Sequence, residues 1–436
     1  MTSSTMPSTG PDLVEPRDVR IAQVYPMKPI RQAKVILGGV GALGNEVLKN
    51  LALLGIGNTI ACDLDRVEAH NLTRAPMFRP SDMGESKARA GALRAKELNP
   101  DINVTAFDGS IGDLGLGAFR RADIVFSTFD GVVPRYLVNT ACMATKTPWI
   151  DGGLDAMDHE AGAVTVFDAR NPQARCYTCG KDSAKVIREL KMVRAPAGCG
   201  AMDQHVLGIG GVPTTPMMAS IVAGIQVSAA LAILTGGQPE SDHPQEAWIS
   251  RSAKMWREEF LRIELGARRI LRVRNRRFMN CYHHDCAPAE LMPPDALRIK
   301  QDWNSKTLTA FEVLETAERD LACENVMIQL PEYLVPEMDC DDCHHRWESF
   351  KSYATLRMSR SAGLCPRCGS GRIDAVKGRE LLYSIKRASP FLHRPMAEIG
   401  IRPLDILAID ALNDAGESVG RMYYELAGDA AAFGFE

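Results

Sequence analysis

Short apolar runs alternate with helix-like stretches along the first third of the chain. Apolar residues that recur every three or four positions predict helices, including one from near Lys87 to Leu98 and one over 134–145. Compact apolar runs predict strands, at 33–37, 58–65, 102–107, 122–128, 148–153 and 161–168. Strands that alternate with helices at this spacing are typical of an α/β fold with a doubly wound, mainly parallel sheet.

One segment is apolar enough to raise the question of a membrane. Residues 217–234 carry no charge over 18 positions, which touches the lower limit for a membrane span. The segment is rich in Ala, Ser and Gly, has Gln226 at its centre and lacks a basic flank, so we expect a buried core or interface helix and no membrane partner. Segment 180–212 has several glycines and no clear period, which predicts a long loop system. The basic run at 267–277 is expected to be a solvated face.

Composition narrows the class of protein without naming a function. A chain of 436 residues has room for roughly two or three domains. Its 45% hydrophobic and 24% charged residues exclude a disordered or fibrous protein. The 51 basic and 54 acidic residues leave a net charge of −3, so nucleic acid is not expected as a partner. The polar start, 1–25, is expected to be a flexible segment without a secretory signal, which favours a cytoplasmic location.

A glycine-rich turn stands between the first predicted strand and the first predicted helix. Gly39, Gly41 and Gly44 form the pattern G-x-G-x-x-G, in which the backbone can approach a phosphate at a helix N-terminus. Asp63 ends the next predicted strand, where a carboxylate can accept hydrogen bonds from ribose hydroxyls. These residues alone indicate only a nucleotide, and a dehydrogenase or a methyltransferase would fit equally well.

Polar residues after Asp63 favour a triphosphate. Asn71, Arg74 and Lys87 place an amide and two cations where they can neutralise phosphate charge. The fourth predicted strand runs into Asp130, whose carboxylate would reach the same crevice and suits Mg²⁺. Each residue taken singly has a surface or capping role as its simplest explanation, and their common location is what favours a site.

The motifs then resemble those of a known family. The run GGVGALGNEVLKNLALLGIG is followed in order by D-x-D-x-V-x-x-x-N-L-x-R, SKA and LNPDI, and this order is similar to the ThiF/MoeB superfamily, which includes the ubiquitin-activating enzymes. The resemblance covers roughly residues 15–290. It implies a Rossmann-like adenylation domain that uses ATP and Mg²⁺ to adenylate the C-terminal glycine of a ubiquitin-like protein.

The resemblance also implies roles for single residues. Asp63 and Asp65 form the D-x-D motif, with Asp63 on the ribose, and Asn71, Arg74 and Lys87 would hold the phosphates. Asp130 would hold Mg²⁺, although Gly131 stands where the family usually has Asn. Members often use an arginine from the N-terminal segment of a partner subunit, and Arg17 or Arg20 could fill that place.

Eight of the 12 cysteines fall into four close pairs, which in a chain of this length indicates metal binding. Cys340-x2-Cys343 and Cys365-x2-Cys368 predict a structural zinc ribbon, with rubredoxin-like iron as a minor alternative. By spacing alone, Cys176-x2-Cys179 and Cys281-x4-Cys286 could be unrelated buried thiols. Modifier-activating members of the family have a zinc site with this spacing, so the resemblance implies a second structural Zn²⁺.

One unpaired cysteine is a candidate nucleophile. Cys199 lies in a Gly-flanked loop ahead of Pro213-Thr214-Thr215, and in modifier-activating relatives the thioester-forming cysteine lies shortly before such a sequence. Here Cys199 stands further ahead than in those relatives, and an inert loop cysteine is the alternative. We expect a nucleophile that receives the modifier as a thioester and passes it to a conjugating enzyme.

The expected organisation has four parts: a flexible segment at 1–25, an adenylation domain at 26–290, a linker with the zinc ribbon at 291–371, and a small β-rich, ubiquitin-fold-like or partner-recruiting module at 372–436. The leading hypothesis is a homodimeric ubiquitin-like-modifier activating enzyme, resembling bacterial conjugation systems linked to phage defence. The alternatives are a sulfur-carrier adenylyltransferase without a thioester step, an NAD-dependent oxidoreductase, and a non-catalytic zinc scaffold.

Overall fold

Two β-sheets organise the protein. The computed structural model describes residues 16–194, 213–236, 252, 254–256, 259–286, 294–358, 364–374 and 381–435. One sheet belongs to the N-terminal part of the chain and the other is formed from residue 297 onward. Residues 16–25 of the expected flexible segment include two short 3-10 helices, Pro16–Asp18 and Ile21–Gln23.

The first sheet has eight strands in the order β3-β2-β1-β4-β5-β6-β7-β8. They are β1 Lys34–Gly38, β2 Asn58–Asp63, β3 Asn103–Asp108, β4 Ile124–Ser127, β5 Trp149–Leu154, β6 Ala161–Phe167, β7 Glu259–Glu264 and β8 Arg269–Arg274. Strands β1 to β5 pair in parallel, and β5 to β8 pair antiparallel. The expected mainly parallel, doubly wound sheet is therefore confirmed. Strand β8, in the basic run, is exposed along its whole length.

Helices cover both faces of this sheet. They are α1 Met27–Gln32, α2 Ala42–Leu54, α3 Lys87–Leu98, α4 Leu116–Arg121, α5 Val132–Thr145, α6 Ser183–Arg194 and α7 Pro216–Thr235. Two buried apolar clusters result, one under α2, α3 and α7 and the other under α4 and α5. The central strands β1 and β4 carry apolar side chains on both sides. Both faces of the sheet must therefore be covered by other elements.

Helix α7 is long and apolar enough to cross a membrane by length and composition alone. Pro216 opens the helix and the Thr215 hydroxyl caps it by accepting a hydrogen bond from the Met218 amide at 3.3 Å. Of its most apolar window, 61% is buried inside the protein. The Gln226 amide nitrogen donates to the carbonyl oxygens of Ser127 at 3.2 Å and Ile150 at 3.1 Å. These contacts across β4 and β5 support the core-helix interpretation.

Helix α6 corrects one expectation. The segment 180–212 was expected to be a loop, but Ser183–Arg194 is helical, and residues 195–212 lie outside the described residues. The Asp182 carboxylate starts it by accepting from the Ala184 amide at 3.0 Å. Val186 is buried and Glu189 accepts a hydrogen bond from the Tyr136 hydroxyl at 2.8 Å, so one face packs against α5. The glycines that suggested a loop lie outside the helix, whose own residues have a helical spacing.

The second sheet is β-rich and mostly antiparallel, in the order β11-β10-β14-β15-β9 with β12 and β13 also paired to β10. Its strands are β9 Leu297–Lys300, β10 Val326–Cys340, β11 Arg346–Ser352, β12 Ile373–Asp374, β13 Leu382–Ile385, β14 Ile406–Leu412 and β15 Ser418–Leu426. Helix α8, Ala310–Leu321, packs on it, and α9, Tyr353–Met358, follows β11. Strands from 291–371 and from 372–436 share this sheet.

A buried ion-pair cluster joins the second sheet to the first domain. Glu425 on β15 is fully buried and accepts from Arg120 Nε at 2.7 Å and from Arg121 Nε at 2.8 Å. Beside it, the Gly117 amide donates to the Leu404 carbonyl at 2.8 Å. Helix α4 is therefore held against the C-terminal domain by both charge and backbone hydrogen bonds.

Candidate nucleotide site

The glycine-rich turn leads from β1 into α2. Its backbone is open to the crevice at the carboxyl ends of the parallel strands. Gly39 has φ of +89°, a conformation that favours glycine. A Cβ at Gly44 would overlap the carbonyl oxygen of Gly39, so the helix can approach the turn only without a side chain there. At Gly41 no atom of the described residues lies within 4 Å of a Cβ position, which leaves room above the turn for a ligand. The backbone thus forms a cradle of the kind that binds phosphate.

Asp63 lies at the end of β2 and organises the turn. Its Oδ2 accepts from the Val40 amide at 2.6 Å and its Oδ1 accepts from the Asp65 amide at 2.8 Å. Burial raises the pKa of this carboxyl above its ordinary value, and the nearby Lys87 acts against that shift. The structure therefore adds a second role to the expected one, because Asp63 also connects the turn to the loop after β2.

Lys87, the first residue of α3, lies among carboxylates. Its ammonium donates to Asp65 Oδ2 at 2.9 Å, and its side chain is 12% exposed. Burial alone would lower the pKa of Lys87, but Asp63, Asp65 and Asp130 outweigh burial and raise it. The lysine is thus charged and is restrained by its ion pair with Asp65.

Asp130 follows β4, the strand on the other side of β1 from β2. Ligands bind at such a switch point in the strand order of a doubly wound sheet. The side chain is exposed, yet loss of solvation among neighbouring atoms raises its pKa, while a backbone hydrogen bond, Arg135 and Lys87 lower it. An exposed carboxylate that interacts with the charge of Asp65 offers the oxygen ligands that Mg²⁺ prefers.

Asn71 and Arg74 differ in how they are held. Asn71 is buried, and its Oδ1 accepts from the Glu68 amide at 2.9 Å in a reciprocal capping box. This bond gives the amide a structural role in shaping the loop. Arg74 is half-buried and its guanidinium makes no hydrogen bond or ion pair with the part of the chain that the structure describes. Arg74 is therefore available for an anionic ligand.

Of the two N-terminal arginines, Arg17 is engaged within its own chain. Its guanidinium donates to Asn99 and lies 3.9 Å from Asp101, at the loop after α3. Arg20 is exposed, and no ion pair of its side chain occurs among the described residues. Arg20 is therefore more available than Arg17 for the expected contact with the ATP of a partner subunit.

A buried ion pair that the sequence did not reveal supports the Asp130 loop. Arg135 Nε donates to Asp151 at 2.9 Å, and its Nη1 donates to the Gly131 carbonyl at 2.9 Å. Asp151 also accepts from the Ser127 hydroxyl. Arg135 sits one helical turn after Gly131, which is the only sequence signal that could have suggested it. The pair holds the turn that presents Asp130.

The first cysteine cluster joins residues about a hundred positions apart. Cys176 Sγ lies 3.8 Å from Cys179 Sγ and 3.4 Å from Cys281 Sγ, and His284 Nδ1 lies 3.4 Å from Cys179 Sγ. These separations of 3.4–3.8 Å are close to the roughly 3.6–3.8 Å expected between ligands of a tetrahedral Zn²⁺ with Zn–S of about 2.3 Å. His284 was missed by sequence reasoning, because the neighbouring Cys286 already completed a four-cysteine pattern. The side chain of Cys286 lies outside the described residues.

Hydrogen bonds around this cluster orient its thiols. Thr178 Oγ1 lies 3.2 Å from Cys176 Sγ and 3.3 Å from Cys281 Sγ. The same hydroxyl pairs with His283 Nδ1 at 2.9 Å, and His283 Nε2 pairs with Thr140 on α5 at 2.8 Å. This outer network connects the candidate metal ligands to helix α5, which follows the Asp130 loop.

The second cluster lies at one end of the C-terminal sheet. Cys340 Sγ is 3.5 Å from Cys368 Sγ, and Cys343 Sγ is 3.6 Å from Cys365 Sγ. All four sulfurs lie within 4.8 Å of one another, as a tetrahedral metal site needs. Both donor sets fit zinc, and the two clusters confirm the expectation of two candidate metal sites. The proposed nucleophile, Cys199, lies outside the described residues.

Comparisons with known proteins give this geometry a context. A model described as the ThiF family matches residues 16–267, more than half of the chain. The sulfur carrier protein ThiS adenylyltransferase of Escherichia coli strain K12 is 34% identical over 189 residues, covering 38% of this chain and 75% of that protein. The sulfur carrier protein adenylyltransferase of Thermus thermophilus is 29% identical over 235 residues, covering 52% of this chain and 79% of that protein.

Other similar proteins are matched over a smaller share. SUMO-activating enzyme subunit 2 of Dictyostelium discoideum is 32% identical over 152 residues, covering 34% of this chain. The chain spans only 22% of that subunit's length. A crystal structure of E. coli MccB aligns with a TM-score of 0.44 at 19% identity, covering 59% of this chain and 66% of that one.

Proposed function

The chain belongs to the ThiF family, and from this premise we propose that it is an ATP-dependent adenylyltransferase that activates the C-terminal glycine of a ubiquitin-like protein. The observation that carries the proposal is the crevice itself. The open glycine turn follows β1, the Asp63 carboxylate ends β2, and the Lys87 ammonium begins α3 beside them. Arg74, whose guanidinium has no ion pair among the described residues, lies in the loop between Asp63 and Lys87. A nicotinamide dinucleotide carries fewer phosphate charges than ATP and would leave Lys87 and Arg74 without enough phosphate charge to neutralise.

In this proposal the first step needs no nucleophile from the protein. The substrate carboxylate attacks the α-phosphorus of ATP, an acyl–phosphate bond forms, the bond to the bridging oxygen breaks and pyrophosphate leaves. Lys87 and Arg74 neutralise phosphate charge, and the glycine turn positions the nucleotide. Mg²⁺ would be held by Asp130 with help from Asp65, and it would neutralise charge on the departing pyrophosphate.

We further propose a thioester step on Cys199. The thiol loses its proton and attacks the acyl carbonyl, the carbonyl–phosphate bond breaks, and AMP leaves. A conjugating enzyme would then receive the modifier by exchange onto its own cysteine. The support is the sequence position of Cys199 ahead of Pro213-Thr214-Thr215 and the fact that it belongs to none of the four close cysteine pairs of the sequence.

The second candidate is activation of a sulfur carrier. It is favoured by the two sulfur carrier adenylyltransferases that this chain covers over 75% and 79% of their lengths. This activity would stop at the acyl-adenylate and would not need Cys199. Both candidates share the adenylation step, and both are proposed to act in the cytoplasm as a homodimer.

Pyrophosphate exchange and a non-reducing gel test the proposal together. With Mg-ATP and a ubiquitin-fold partner ending in an exposed glycine, we expect partner-dependent exchange of labelled pyrophosphate into ATP. We also expect a thiol-sensitive adduct that Cys199→Ala abolishes and the control Cys323→Ala retains, because Cys323 lies outside both metal clusters. Exchange without an adduct would favour the sulfur-carrier candidate. No exchange with any such partner would contradict adenylation.

A further inference from the structure

A cavity of about 470 Å³ lies between the two domains, next to the nucleotide crevice. From the first domain it is lined by Leu64, Asp108 and Gly109, which follow or end strands β2 and β3. From the C-terminal domain it is lined by Phe350, Ala397 and Ile401, among others. Its volume falls within the roughly 300–1,000 Å³ that is usual for small-molecule sites, which often lie at domain interfaces.

The order of the strands relates this cavity to the parts of a nucleotide. The phosphate cradle belongs to β1 and the ribose carboxylate, Asp63, to β2. Strand β3 comes next in the sheet, so the group beyond the ribose must extend over the ends of β2 and β3. Leu64 directly follows Asp63, and the Gly109 amide donates to the Asp63 carbonyl at 3.1 Å. The cavity therefore begins where the base of a bound nucleotide has to lie.

The lining suits a flat heteroaromatic base. Leu64 and Ile401 supply apolar surface from opposite domains. Polar groups come from Ser352 and Thr355 and from five charged residues, Arg66, Asp108, Asp113, Lys351 and Arg402. A heteroaromatic base uses both kinds of surface, because its faces pack on apolar side chains or guanidinium groups and its edge forms hydrogen bonds.

Direct contacts join the cavity wall of the first domain to the cavity wall of the C-terminal domain. Thr355 Oγ1 donates to Asp113 Oδ2 at 2.6 Å, and Arg402 lies 4.0 Å from the same carboxylate. Asp113 belongs to the first domain, whereas Thr355 and Arg402 lie beyond residue 267, where the family match ends. The outer wall is thus supplied by the part of this chain that the family match does not include.

We propose that the C-terminal domain forms the outer wall of the nucleobase subsite, so that the complete ATP site is shared between the two domains. The inference rests on the proposed function, because it takes the ligand to be ATP. It gives the second domain a direct part in nucleotide binding, in addition to any role in recruiting partners.

The test fills the cavity from the C-terminal side in the full-length protein. Ala397 is exposed and lines the cavity, so Ala397→Trp adds bulk there without entering the core. Ala397 belongs to the 3-10 helix Met396–Ile399. Ala432, an exposed alanine in the 3-10 helix Ala427–Phe433 of the same domain, does not line the cavity and provides the control Ala432→Trp. Calorimetric titration measures the affinity of each protein for Mg-ATP and for Mg-tripolyphosphate, which has no base.

We expect Ala397→Trp to weaken Mg-ATP binding at least tenfold with tripolyphosphate binding unchanged, and Ala432→Trp to alter neither. Wild-type affinity for ATP in Ala397→Trp, or equal weakening of both ligands, would overturn the inference. Failure of the wild-type protein to bind ATP would instead refute the proposed function on which the inference rests. If the tryptophan variant does not fold, Ala397→Leu supplies a smaller obstruction, for which a reduced loss confined to ATP is expected.

Discussion

Replacing Lys87 by Met removes the ammonium that the crevice surrounds with acids while keeping most of the side chain's volume. In the wild-type protein the ammonium contacts Asp65 at 2.9 Å and also interacts with the charges of Asp63 and Asp130. Without nucleotide, the lysine therefore offsets repulsion among three carboxylates. With nucleotide, the same ammonium is the charge proposed to meet a phosphate.

The two effects of Lys87→Met have different sizes. Asp65 is exposed, so loss of the Lys87–Asp65 ion pair lowers the free energy of unfolding by only about 1 kcal/mol. Buried Asp63 keeps its two backbone hydrogen bonds, which limits the additional cost. A hydrogen bond between a charged group and its ligand contributes about 1.5–3 kcal/mol, which corresponds to roughly 10- to 150-fold in the dissociation constant for ATP.

Calorimetric titration with Mg-ATP and urea denaturation measure these two quantities separately. Lys96→Met is the matched control, because Lys96 is an exposed lysine in the last turn of the same helix. We expect the affinity to fall only in Lys87→Met, with modest destabilisation. A change in affinity of less than threefold, or an equal change in Lys96→Met, would refute the placement of the phosphates at Lys87.

Three further predictions concern the supports of the site. Glu425→Gln should lower the free energy of unfolding in urea by about 3–5 kcal/mol, because it removes the buried charge that two arginines share, and a loss below about 1 kcal/mol would contradict this. Burial and then the charge of Arg135 lower the pKa of Lys181 to about 8 in the folded protein. Between pH 8 and about 10.4 the unfolded chain therefore binds more protons than the folded protein. The free energy of unfolding should rise with pH in that range, by up to about 1.4 kcal/mol per pH unit. Lys181→Met should lack this rise in denaturation measured across that range, and an identical pH profile would be evidence against the shift. In cobalt-substituted protein, His284→Ala should shift the visible d–d bands and Cys286→Ser should not, whereas the reverse result would make Cys286 the fourth ligand.

The parts of the site that sequence reasoning found are those encoded by local backbone geometry. Gly39 and Gly44 are recognisable because a tight turn between a strand and a helix excludes side chains at those positions. Asp63 and Lys87 are recognisable because they stand at the end of a strand and the start of a helix. Helix α6 was missed because nearby glycines obscured its period, although its own residues carry a capping acid and an apolar face.

Other residues gain their role only from long-range contacts. Arg135 and Asp151 are 16 positions apart and look like ordinary polar residues until β4, β5 and α5 pack together. His284 joins the cysteines because a π-helix at Tyr282–Cys286 brings its ring towards Cys179. The family resemblance favoured Cys286, since a pattern of cysteines does not specify the direction of each side chain.

By itself, the sequence determined the doubly wound sheet, the glycine turn with its acids and cations, and the presence of two cysteine-rich candidate metal sites. Each of these depends on short-range periodicity or on residue types whose chemistry allows few alternatives. Only the tertiary structure decided that the C-terminal domain docks on α4 through Glu425 and that the two domains enclose a cavity beside Asp63. The physical reason is that docking depends on the complementarity of two folded surfaces, and neither surface exists until each domain has formed its own core.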